Sequence, residues 1–136
     1  MATITEILKA AEDDIRTILN YKDDNYLRMI LSCAYFPQYK LKLPEGTPPY
    51  TPNPMAEAQV LPGVFWQVCK KIDMYLKDYD KKTTARVENS FIQALETVSA
   101  NEALILLAVK DQTLEKMYKG VTLEALYNVG YYKRPA

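Results

Sequence analysis

Histidine is missing altogether from this chain of 136 residues. Its absence removes the commonest general base, a common metal ligand and every Ser-His or Cys-His nucleophile pair. Cysteine is scarce: Cys33 and Cys69 are the only two. No CxxC pair or Cys/His metal spacing exists, and there is no disulfide framework. Each cysteine lies inside an apolar stripe, which predicts buried, reduced thiols and a reducing compartment. Long hydrophobic runs are also lacking. The longest, Ala103 to Val109, falls far short of a bilayer span, and the first residues, with Glu6 among them, do not read as a signal peptide. Net charge is absent too: 17 Lys+Arg balance 17 Asp+Glu. That balance excludes binding to nucleic acid or membranes by bulk charge alone.

What is present describes a soluble globular chain, with 49% hydrophobic and 25% charged residues. The length predicts one helical domain over residues 1–136, with 131–136 as an exposed tail. Ile4, Ile7, Leu8, Ala11, Ile15, Ile18 and Leu19 recur at helical spacing. Thr3 and Glu6 form a capping-box pattern ahead of this helix, which is expected to break around Glu12-Asp13-Asp14. Asp23 or Asp24 is expected to cap a second helix, ended by Pro37. Pro62-Gly63 opens a third, with Phe65, Val68, Cys69, Ile72, Leu76 and Tyr79 on one face. Thr83 or Thr84 is expected to cap a fourth, with Val87, Phe91, Ala94, Leu95 and Val98 inward. Ser99 and Glu102 read as a second capping box, opening a fifth helix with Leu104, Leu107 and Ala108 inward. Leu114 and Met117 are expected over the core. Thr122 begins a short sixth helix that Gly130 closes. No stretch alternates long enough for a sheet, so the expected fold is all-α: about six helices in a compact orthogonal bundle.

Proline is concentrated: seven of the eight fall between Pro37 and Pro62. Residues 36–62 therefore read as a long surface loop, because proline is excluded from helix interiors and central strands. Leu41, Leu43, Tyr50 and Met55 predict that the loop packs along the helices. A structureless segment of this length in a small domain is uncommon and usually functional or disordered.

Few constellations carry chemistry. Asp73, Asp78 and Asp80 lack the further ligands, central glycine and terminal glutamate of a calcium loop. Asp13-Asp14 and Asp23-Asp24 are adjacent pairs that cannot face one another on a helix. No metal, cofactor, membrane or catalytic residue is expected. The positive charge, however, is uneven. Residues 65–91 carry six cations against four acids, whereas residues 1–34 carry four against six. Lys70, Lys77 and Lys81 share a helical spacing, and Lys82, Lys110 and Lys119 add to the same reading. Together they suggest a surface that tracks phosphates without reading bases. Eleven tyrosines suggest a second possibility. Tyr39, Tyr50, Tyr131 and Tyr132 join no helical stripe, and with Pro48 and Pro49 they could form a protein-binding surface.

The strings Leu27-Arg28-Met29-Ile30-Leu31, Ala34-Tyr35-Phe36-Pro37 and Leu43-Pro44-Glu45-Gly46-Thr47-Pro48-Pro49-Tyr50 resemble a family of small uncharacterised proteins of T4-like cyanobacterial phages. The likeness continues through Phe91 to Glu96, Leu106 to Asp111 and Tyr118 to Thr122. More distantly, the order of features is similar to the N-terminal helical domain of T4-type ATP-dependent DNA ligases. Lys110-Asp111 and Gly120 are the matching positions. That resemblance implies a non-enzymatic phage accessory module that grips duplex DNA by its backbone in the host cytoplasm. Ligation is not implied, since no K-x-D-G motif is present. The competing expectation is an adaptor for a phage or host protein, acting through the Pro-rich loop and the tyrosines.

Overall fold

A computed structural model describes residues 3–53 and 62–135; Pro54 and Met55 of the Pro-rich segment lie outside them. All regular structure among the described residues is helical. α1 (Ile4–Asp13) is capped by Thr3, whose hydroxyl accepts the backbone N–H of Glu6. It stops at Asp14, which is extended (φ −148°) and caps a following 3₁₀ segment, Ile15–Tyr21. α2 (Asn25–Tyr35) is capped by Asp24, and a 3₁₀ turn, Pro37–Tyr39, follows. The expected third helix is split: α3 (Pro62–Cys69) breaks at Lys70-Lys71 before the single turn α4 (Ile72–Tyr75). Beyond that break Tyr79, expected inward, is exposed.

α5 (Lys81–Thr97) begins earlier than expected. Its cap is Asp80, whose carboxylate accepts the N–H of Thr83, rather than Thr83 or Thr84. The predicted Ser99–Glu102 capping box opens α6 (Ala100–Asp111), with both reciprocal hydrogen bonds formed. α7 (Leu114–Met117) and α8 (Leu123–Asn128) complete the order, α8 being capped by Thr122 as expected. Among the described residues there are eight α-helices rather than about six, because the third expected helix is divided and Leu114–Met117 forms a turn of its own; the second half of the first expected helix is 3₁₀.

α6 is the axis of the core and packs on α1, α2 and α5. Its apolar run is buried on nearly every side, from Ile105 through Val109, as a helix with little polar face must be. Leu104, expected inward, is instead 48% exposed. Cys33 and Cys69 are free and buried in the same core. Burial pushes their thiols up, to about 11 for Cys33 and about 12 for Cys69. α6 ends with Gln112 in the left-handed conformation (φ 56°), a geometry unfavourable for a residue with a Cβ. The side chain offsets this strain by donating to the carbonyls of Cys33 and Phe36 at 3.0 and 2.8 Å, tying the end of α6 to the end of α2.

The tail departs from expectation. Tyr131 and Tyr132 are buried, at 1% and 8% exposed. α8 closes in a Schellman motif: Gly130 (φ +85°) bonds back to Tyr127, and the N–H of Tyr131 donates to Leu126. Arg28 of α2 lies over both rings and donates to the Tyr131 carbonyl. The Tyr132 hydroxyl bonds to the Arg28 carbonyl and Ser32. Gly120 is needed for close approach, because a Cβ there would lie 2.9 Å from the Glu12 carbonyl oxygen.

Candidate nucleic-acid interface

α5 supplies the longest uninterrupted helical face. Val87, Phe91 and Leu95 recur every four residues and point into the core. The same periodicity turns Lys82, Arg86, Asn89 and Gln93 outward, and all four are exposed. No carboxylate interrupts that stripe. Of the two acids of α5, Glu88 lies off it, and Glu96, one turn beyond Gln93 at the end of the stripe, is engaged as acceptor of the Thr51 N–H. Lys81 and Lys82 occupy the first turn, where the helix dipole disfavours cations. Neither they nor Arg86 forms an ion pair among the described residues.

A cleft of about 430 Å³ opens between α3–α4 and α5. Gln67, Val68, Lys71 and Tyr75 line it from one side and Ser90, Gln93, Ala94 and Thr97 from the other, and the hydroxyls of Tyr75 and Ser90 are hydrogen-bonded at 3.3 Å. No acidic side chain is among its described lining. The break between α3 and α4 puts Lys71 at this cleft, with Lys70 exposed beside it. Lys77, after α4, is exposed as well, but the helical spacing expected of Lys70, Lys77 and Lys81 is not kept: the chain leaves the helix at Lys70 and again after Tyr75, and Lys81 opens a separate helix.

Two of the expected phosphate contacts do not join this face. Lys110 is 1% exposed. Its ammonium donates to the carbonyls of Pro44 (2.7 Å) and Gly46 (2.9 Å) and to Asp111, and Asp111 also accepts the Gly46 N–H. All its donors are satisfied within the protein, so it pins the Pro-rich loop and is not free to meet a phosphate. Lys119 is exposed but adjoins Gly120, which abuts Glu12 on the acidic end of α1. The sequence reading missed Lys71, Arg86, Asn89 and Gln93 as site residues. The signal was available: an i, i+4, i+7, i+11 spacing of cations and amides opposite the Val87–Phe91–Leu95 stripe.

The surface expected of an adaptor is likewise rearranged. Tyr131 and Tyr132 are core residues, Tyr50 is half-buried, and Tyr39 is 46% exposed. The loop runs from α2 to Lys110 and on to α5, where Thr51 bonds Glu96 and Asn53 bonds the Thr97 carbonyl. A hollow of about 200 Å³ lies beneath it, with Leu43, Phe91 and Ile92 inside and Glu45 and Glu88 also lining it. On the other side of the loop, Thr47 adjoins an apolar patch that includes Leu104, Leu107 and Met117.

No group of three or more Cys, Asp or Glu able to hold a metal occurs among the described residues, and none of their helices is long and apolar enough to cross a membrane. One family model matches the chain, over residues 4–116. The protein belongs to DUF6433, a family of unknown function. No curated protein and no solved structure matches the chain. The DUF6433 match takes in the Pro-rich loop, the cleft and the outer face of α5, and it ends within α7.

Proposed function

We propose that this DUF6433 chain is a non-enzymatic phage accessory module that binds duplex DNA through its backbone, acting in the host cytoplasm. Its likeness to the N-terminal helical domain of T4-type DNA ligases belongs to the same proposal. The observation that carries it is the outer face of α5, where Lys82, Arg86, Asn89 and Gln93 stand exposed with no carboxylate between them. Cations fix position on phosphates, and amide donors hydrogen-bond phosphate oxygens without reading sequence. Lys81 and Lys82 in the first helical turn support the reading further. They are unfavourable there for the free helix, whose N-terminus the Asp80 carboxylate already caps, and their exposed ammonium groups suit a phosphate. Lys70, Lys71 and Lys77 extend the cationic surface.

Fluorescence anisotropy with labelled duplex and nicked DNA tests this. Binding at low salt that weakens steeply as salt rises is expected, because neutralising phosphates releases counterions. Absence of binding to either DNA at low salt would remove the proposal. A second reading, an adaptor for a phage or host protein, is favoured by the exposed Leu104 and Met117 beside the Pro-rich loop. A pull-down from infected-cell lysate checks it: partners retained after nuclease treatment favour the adaptor, and partners lost with nuclease favour DNA.

A further inference from the structure

We propose that the cleft between α3–α4 and α5 receives one unpaired nucleotide of the bound DNA. This rests on the backbone-binding reading and goes beyond it, since a track of phosphates needs only exposed side chains and no cavity. The cleft holds about 430 Å³, and its described lining carries Lys71 and no acid. A phosphate entering it meets one cation and, among the described lining, no carboxylate. Gln67 and Gln93 then offer amide groups that donate and accept, the complement required by the edge of an unpaired base. The hydroxyls of Tyr75 and Ser90, bonded to one another at 3.3 Å, keep part of their capacity free beside them. Val68 and Ala94 add apolar surface for the flat face of the base. Gln93 also belongs to the outer stripe of α5, so a strand lying along that stripe passes the mouth of the cleft. The hollow beneath the Pro-rich loop is the opposite case. Glu45 and Glu88 line it, and the one cation of its described lining, Lys110, is already saturated.

The experiment compares two labelled duplexes of equal length by anisotropy at low salt, one fully paired and one with a single unpaired adenosine. The unpaired site is expected to bind about tenfold tighter, the size of one favourable base contact. Ala94→Phe, which fills the cleft, is expected to abolish that preference while leaving affinity for the paired duplex within about twofold. Gln67→Ala, at an exposed wall residue, is expected to reduce the preference severalfold even if the larger side chain disturbs folding; circular dichroism reports the fold of each. Equal affinity of the wild type for both duplexes would overturn the nucleotide cleft and leave backbone binding standing. A preference that survives in both variants would also overturn it. Failure of the wild type to bind either duplex would overturn the backbone reading itself.

Discussion

Lys110 and Lys82 are the same residue type in opposite circumstances. Lys110 sits at the end of a helix buried on nearly all sides, and its ammonium is saturated by two carbonyls and Asp111. Lys82 sits in the first turn of a helix with one wet face, where the dipole opposes it and, among the described residues, no ion pair holds it. The first lysine serves the fold by closing the LPEGTPPY loop onto α6. The second is exposed and leaves its charge free, as the proposed contact with DNA requires.

Substitutions at the two sites should therefore separate stability from binding. Lys110→Met is expected to lower unfolding free energy by about 3 kcal/mol, because it strands Asp111 and two loop carbonyls. Urea denaturation measures it, and a loss well under 1 kcal/mol would break the contrast. Lys81→Glu combined with Lys82→Glu should do the reverse. DNA affinity is expected to fall at least tenfold, about 1.4 kcal/mol. The same denaturation experiment should show stability unchanged or raised by about 0.5 kcal/mol, since acids suit the first turn. A destabilised double variant would mean that these lysines serve the fold after all. The tail sharpens the buried side of the comparison. Tyr132→Phe removes a hydroxyl held by Ser32 and the Arg28 carbonyl, and is expected to cost about 1 kcal/mol in thermal or urea unfolding with no change in DNA affinity. Smallest of all is the effect expected of Lys119→Ala. The slope of log affinity against log salt should stay the same, whereas removing Lys82 should lower it by about one contact.

Much of the helical framework was legible because its signals are local. Thr3, Asp24, Ser99 with Glu102, and Thr122 each cap a helix through a side chain three residues from the N–H it accepts. The stripes around Ile7, Leu31 and Phe91 need only periodicity to be read. Asp80 was missed because Thr83 and Thr84 offered competing caps within one turn. Tyr131 could have been placed inside, since a bulky residue just after a C-terminal glycine usually folds back on its helix. Lys110 and Gln112 could not be placed. Their partners, Pro44, Gly46, Cys33 and Phe36, lie 64 to 79 residues away in sequence. No local rule says that a lysine ending a helix will meet a loop carbonyl rather than water. Leu104 was misplaced for a related reason: an unbroken apolar run has no polar side by which to orient it. Of the candidate site, the concentration of cations between Lys70 and Arg86 was visible in the sequence. The cleft was not, because it exists only where α3 breaks and Tyr75 of α4 packs on Phe91 of α5.

An amide chemical-shift map of the labelled protein, recorded as a short duplex is added at low salt, tests the central claim most directly. Contact through the outer face of α5 and the cleft moves residues 70–71 and 82–93 and leaves 45–47 and 104–117 in place. Shifts confined to the Pro-rich loop and the Leu104–Met117 patch, or no shifts at all, would contradict it.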